Sequence, residues 1–159
     1  KEIWQAIPSC NPVWGRSQWV HLQNGARVLF DAYNANPESM QAALDNFSNL
    51  KMPGVRKSAV LGDMLEVGTE ADLLHEELGK SVAKGNFQQV FYFGSMAVSF
   101  LKGLGSHSAV IVAPKLDPSD IQLVSALKAA VSNGKECLVL VKASHGIGLE
   151  RVLDLWSPK

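Results

Sequence analysis

The stretch VLFDAYNANPESMQAAL, residues 28–44, starts as an apolar strand, breaks into Asp31, Tyr33, Asn34 and Asn36, and passes through Pro37 into a helical period. Beyond Pro37, apolar residues at Met40, Ala43, Leu44, Phe47 and Leu50 recur at i, i+3, i+4, i+7 and i+10, the stripe of an amphipathic helix. Asn36 suits the N-cap and Pro37 the first helical position, where its missing N–H costs nothing. A strand that feeds directly into a helix is half of a strand-helix-strand unit, and the rest of the chain decides whether the unit repeats.

Upstream, QWVHLQNGARVLFD (18–31) alternates on both sides of Asn24-Gly25. Residues 19–22 and 27–30 are therefore expected to pair as a hairpin closed by a tight primed turn, which supplies one antiparallel edge strand. Downstream, short apolar runs alternate with helical periods. Strands are expected at 57–64, 89–94, 108–113 and 136–143, and helices at 70–85, 95–105, 118–134 and 149–156. Ala71, Leu74, Leu78 and Val82 should face inward from the second helix, which Gly85 stops. Ile121, Val124, Leu127 and Val131 should do so from the fourth, ended by Asn133-Gly134. This alternation predicts a doubly wound, Rossmann-like α/β fold: a mostly parallel sheet of about six strands, one antiparallel at the edge, with right-handed crossovers placing helices on both faces.

At 159 residues one core is expected, burying roughly two thirds of the unfolded surface. Fifteen basic and fifteen acidic side chains give zero formal net charge, which disfavours nucleic acid as a partner because phosphate binding needs a basic excess or a basic face. No apolar run approaches the roughly 20 residues of a membrane span, and no secretory signal opens the chain, so no membrane association and a cytoplasmic location are expected. Cys10 and Cys137 have no metal-ligand spacing and read as free thiols. The opening KEIWQAIPSCNPVWGRSQ carries two prolines and no periodicity. Residues 1–18 thus read as a linker from a preceding domain and 19–159 as the domain itself.

Ligands of doubly wound sheets bind beyond the carboxyl ends of the strands. Those ends carry Asp31, Tyr33, Asn34 and Asn36; Gly62, Asp63 and Met64; Gly94 and Ser95; Pro114; and Lys142, Ser144 and His145. The first, second and last groups are polar and could converge. There is no GxxxxGK[ST] phosphate loop, no complete GxGxxG, no GxSxG elbow and no HExxH, so neither a self-contained triphosphate cradle nor a metal site is expected. Two readings of the opening stretch stay open. In one, Asn36 caps a helix while Asp31 and Asn34 satisfy turn backbone; in the other, the same atoms accept ribose hydroxyls and meet a nucleotide. Asp63 likewise reads as turn chemistry or as part of a site, and Lys142 with Ser144 as a solvated strand end or an anion holder. His21, His75 and His107 read as surface or boundary residues, whereas Arg16 has no evident local task.

Taken together, GRSQ at 15–18, FDAYNANPESMQAAL at 30–44, AVLGDMLEVG at 59–68, LHEELG at 74–79 and LVKASHGIGLERV at 140–152 resemble the C-terminal domain of the Mur ligases, above all the branch that adds a dipeptide. The resemblance covers nearly the whole chain. It implies an ATP- and Mg2+-dependent ligase of peptidoglycan synthesis that phosphorylates the carboxylate of UDP-N-acetylmuramoyl-tripeptide and joins the acyl phosphate to D-alanyl-D-alanine. It also implies N-terminal and central domains in the same protein, the central one holding the phosphate loop and most contacts to ATP and Mg2+. A chain without them is expected to fold and not to catalyse.

Residue by residue, the resemblance assigns Arg16 to the nucleotide phosphates, Asp31 to the ribose, and Tyr33, Asn34, Asn36 and Pro37 to the loop around the nucleotide. It assigns Asp63, Met64, Lys142, Ser144 and His145 to the side of the incoming dipeptide, with Lys142 and Ser144 near the reaction centre. The sequence departs from the family pattern at Ala143, usually Gly, and at His145, often Arg or Asn. The alternatives are a ligase of the same family for another amino acid, or a non-catalytic nucleotide-binding module.

Overall fold

The computed structural model describes residues 13–106 and 109–157; Cys10, His107 and residues 1–12 of the expected linker lie outside them. The strands are β1 Gln18–His21, β2 Arg27–Asp31, β3 Arg56–Gly62, β4 Gln89–Phe93, β5 Val110–Ala113 and β6 Cys137–Lys142. The helices are α1 Pro37–Ser48, α2 Ala71–Lys84, α3 Ala97–Leu104, α4 Ile121–Val131 and α5 Arg151–Trp156. They form one six-stranded sheet in the order β1-β2-β6-β3-β4-β5. β1 pairs antiparallel with β2, and every other pairing is parallel, as the alternation of short apolar runs and helical periods predicts.

Side chains of a strand alternate between faces, and the two cores follow that parity. Val28, Phe30, Val60, Phe91, Val139 and Val141 pack under Leu123 and Leu127 of α4 and Val152 of α5. Ala59, Leu61, Val90, Tyr92, Leu138 and Leu140 pack under Met40, Leu44 and Phe47 of α1, Leu78 and Val82 of α2 and Phe100 of α3. β3, β4 and β6 are buried on both faces, and each large apolar side chain there contributes roughly 1.5–3 kcal/mol. Between α2 and α3 the backbones themselves touch: a Cβ at Gly103 would lie 1.8 Å from the Glu76 carbonyl oxygen, and one at Gly79 2.1 Å from that of Phe100.

α1 starts as expected. The Asn36 side chain accepts from the Ser39 N–H at 2.8 Å while the Ser39 hydroxyl accepts from the Asn36 N–H at 3.1 Å, a reciprocal cap with Pro37 at the first helical position.

Three local expectations are corrected. The hairpin does not close through a two-residue primed turn. Of its tip residues only Gly25 has positive φ, at 90°, and the Leu22 carbonyl accepts from Gly25 while Leu22 N–H donates to Ala26, a three-residue connection. Ile121 is 82% exposed, because it stands at the first position of α4; the buried stripe is Leu123, Leu127, Ala130 and Val131. His75, expected at the surface or boundary, is fully buried.

Candidate functional site

The topology opens one crevice. Loops after β2 and β3 lead to α1 and α2 on one face, whereas the loop after β6 leads to α5 on the other, so the chain parts above the adjacent carboxyl ends of β2, β6 and β3. The three polar strand ends singled out in the sequence converge there.

Register places Asp31, the last residue of β2, directly beside Lys142, the last of β6. The Lys142 ammonium donates to Asp31 Oδ2 at 2.7 Å and to the Asn34 carbonyl at 3.0 Å. Its side chain is only 2% exposed, against 16% for Asp31. The other Asp31 oxygen accepts the Ser17 N–H at 3.0 Å. A carboxylate offers about four lone-pair sites. Asp31 is thus fixed in orientation with acceptor capacity left at the surface, beside a 420 Å³ cavity that Ser17, Trp19, Ser39 and Asn46 also line.

Residues 13–17, placed in the linker by the sequence, lie against this end of the sheet: the Gly15 carbonyl accepts the Tyr33 N–H at 3.0 Å, and the Trp14 and Phe30 rings stand 5.4 Å apart. The Arg16 guanidinium sits 4.4 Å above the Tyr33 ring, a cation–π contact that gives Arg16 the local task the sequence did not reveal. The His145 ring centre is 6.1 Å from that of Tyr33. Tyr33 and His145 together line two cavities. One, of 250 Å³, is apolar, with Val13, Trp14 and Phe30; the other, of 350 Å³, is polar, with Asn34, Leu65, Glu66, Ser144 and Gly146.

Below the mouth, the turn after β3 is held from every side. Asp63 is 3% exposed, and its carboxylate accepts from the Tyr92 hydroxyl at 2.6 Å, Ser95 N–H at 2.7 Å, Ser95 hydroxyl at 3.0 Å and Met96 N–H at 3.3 Å. It thereby neutralises the N-terminal approach to α3. Burial and the Asp63 bond push the Tyr92 hydroxyl far above its usual range, so it remains a neutral donor. Met64 is buried as well, and Ser144 joins the turn to β6: its N–H donates to the Asp63 carbonyl at 3.1 Å, and its hydroxyl accepts from Leu65 N–H at 3.0 Å.

The structure thus brings Arg16, Asp31, Tyr33, Asn34, Ser144 and His145 to the crevice. It spends Asn36 and Pro37 on starting α1, buries Lys142 beneath Asp31, and turns the Asp63 carboxylate inward. Leu65, Glu66 and Gly146 line the mouth without having been singled out, although Leu65 and Glu66 directly follow Gly-Asp-Met in the sequence.

Fold and crevice define a doubly wound α/β domain with an open strand-end site between β2, β3 and β6. The chain matches the family described as Mur ligase, glutamate ligase domain, over residues 15–145, and it belongs to that family. UDP-N-acetylmuramoyl-tripeptide–D-alanyl-D-alanine ligase of Bacillus subtilis (strain 168) is 33% identical over 139 residues, covering 87% of this chain and 29% of the relative. The enzyme of the same name from Escherichia coli (strain K12) is 32% identical over 149 residues, covering 92% and 30%. Among solved structures, the MurF ligase of Thermotoga maritima in complex with ADP superposes with a TM-score of 0.71 at 28% identity, over 93% of this chain and 31% of that one. The chain therefore spans about three tenths of the length of the curated relatives it matches. Among the described residues no helix is long and apolar enough to cross a membrane.

Proposed function

We propose that this chain works as the C-terminal domain of an ATP-dependent ligase that joins D-alanyl-D-alanine to UDP-N-acetylmuramoyl-tripeptide in cytoplasmic peptidoglycan synthesis. The observation that carries the reading is the Lys142-oriented Asp31 carboxylate at the crevice, with the Arg16 guanidinium nearby, in a chain whose named relatives perform that reaction and one of which was solved with ADP.

The residues present fit a nucleotide. Asp31 retains lone pairs for two ribose hydroxyls, and exposed Arg16, held over the Tyr33 ring, offers its N–H fork to phosphate oxygens. Mg2+ is a different matter. Among the described residues no group of three His, Cys, Asp or Glu could hold a metal ion; as the family resemblance implies, we assign the Mg2+ ligands to the central domain of the ligase, and no step here runs through the ion.

ATP supplies the phosphoryl group that activates the tripeptide carboxylate, and the dipeptide amine then displaces phosphate. In that reaction this domain binds, orients and shields. Asp31 and Arg16 form one wall of the nucleotide site, while Leu65, Glu66, Ser144 and His145 form the polar pocket that receives the dipeptide. Lys142 and Asp63 act from below, the first by aiming Asp31, the second by fixing the turn that carries Leu65. Asn36 and Pro37 set the start of α1 beside the nucleotide wall. Packed over the N-terminal and central domains, the crevice excludes water from an acyl phosphate that would otherwise hydrolyse. Without a phosphate loop of its own, the isolated chain has no turnover.

The test is amide formation by the full-length enzyme with ATP, UDP-N-acetylmuramoyl-tripeptide and a panel of amines. D-alanyl-D-alanine should be the amine that supports phosphate release. Release with a single amino acid and not with the dipeptide would assign the chain to another ligase of the family.

A further inference from the structure

His75 is the one buried histidine among the described residues, and none of the roles above uses it. Its ring is held by two bonds of opposite polarity. Nδ1 lies 2.6 Å from the Ala71 carbonyl oxygen one helical turn back, and Nε2 lies 3.0 Å from the Met64 N–H. A carbonyl only accepts and a backbone N–H only donates, so Nδ1 carries the proton and Nε2 the lone pair. The ring also stands edge-on to Tyr92, at 6.5 Å and 89°, and the Tyr92 hydroxyl binds Asp63.

Three consecutive amides of the turn after β3 are thus held by three separate elements. Asp63 N–H goes to the Phe93 carbonyl at the end of β4, Met64 N–H to His75 on α2, and Leu65 N–H to Ser144 beyond β6. Past these anchors the chain emerges at once: Met64 is 2% exposed, Leu65 51%. Leu65 and Glu66 line the polar cavity of the mouth.

We propose that His75 is a positioning residue for the incoming dipeptide. By holding Met64 N–H it sets where Leu65 and Glu66 enter the pocket, although it touches neither pocket nor substrate. The inference deepens the functional reading above and rests on it for the identity of the ligand. Removing an acceptor from a buried N–H leaves that group unsatisfied, and the turn must move to find another partner.

The test compares His75→Leu, His75→Asn and His75→Gln in the full-length ligase. Leu removes both bonds. Asn keeps a donor near Ala71 but is too short to reach Met64, and so serves should the Leu variant not fold. Gln offers an amide oxygen near the Nε2 position. Amide hydrogen exchange at Met64 and Leu65 should accelerate about tenfold in the Asn and Leu variants, KM for D-alanyl-D-alanine should rise about tenfold with KM for ATP unchanged, and Gln should restore both. Unaltered exchange at Met64 would overturn the positioning role. So would an equal fall in activity at all substrate concentrations with the dipeptide KM unmoved. Lack of dipeptide addition by the unmodified enzyme would instead refute the functional reading.

Discussion

Asp31 and Lys142 are 111 residues apart in sequence, and sheet register makes them neighbours. Lys142 is almost wholly buried, so replacing it leaves the Asp31 carboxylate without its cation and opens a polar gap below the crevice. Lys142→Met should therefore cost about 3 kcal/mol of stability, the low end for breaking a buried pair because Asp31 itself reaches solvent. In the full-length enzyme the same change should raise KM for ATP, and Asp31→Ala should do so by about tenfold or more, with a loss of stability at least as large because it strands the more deeply buried Lys142 ammonium. Denaturant midpoints and steady-state kinetics separate the two effects. Neither partner could be assigned from its own neighbourhood. Asp31 could be read as a turn former and Lys142 as a solvated strand end, and only the insertion of β6 beside β2 makes them one unit.

The helices were readable where one period governs them. The Met40, Leu44 and Phe47 stripe and the Asn36-Pro37 start were legible because they depend on neighbours within a few residues. α4 was misread at Ile121, since periodicity gives the phase of a stripe and not which turn overhangs the sheet. His75 was missed for a stronger reason: its partner is a backbone N–H of a loop 11 residues earlier, invisible to any helical wheel. The α2–α3 contact supplies a test at this scale. Gly103→Ala gains about 1 kcal/mol in helix propensity but drives a methyl into the Glu76 carbonyl. Forcing the helices apart costs about 1–3 kcal/mol, so the net change should be destabilising, seen as a lower urea midpoint with unchanged slope. Glu76 receives Lys102 across the same contact at 2.5 Å and Lys80 from its own helix at 2.9 Å, and hydrogen bonds from Lys102 and then Lys80 hold its carboxyl below the usual 4.5. A depressed carboxyl stabilises the fold above its unfolded value and loses that contribution as pH falls through the folded one. The melting-temperature gap between the native chain and Glu76→Gln should be full above pH 4.5, close below it, and shrink in high salt.

For the whole molecule, strand number, the antiparallel edge and the two helical faces were all legible in the sequence, whereas strand order was not. The site followed the same division. Which residues stand at strand ends was local information; that β2, β6 and β3 end side by side was not. The order also has a meaning for biosynthesis. β6 lies in the middle of the sheet, between β2 and β3, yet among the described strands it is the last to leave the ribosome. Until residue 142 has been made, β2 and β3 each present a bare hydrogen-bonding edge flanked by apolar side chains, the kind of edge that recruits other chains. The nascent domain therefore passes through an aggregation-prone state before β6 is made, and the Asp31–Lys142 pair forms only when that state is left behind.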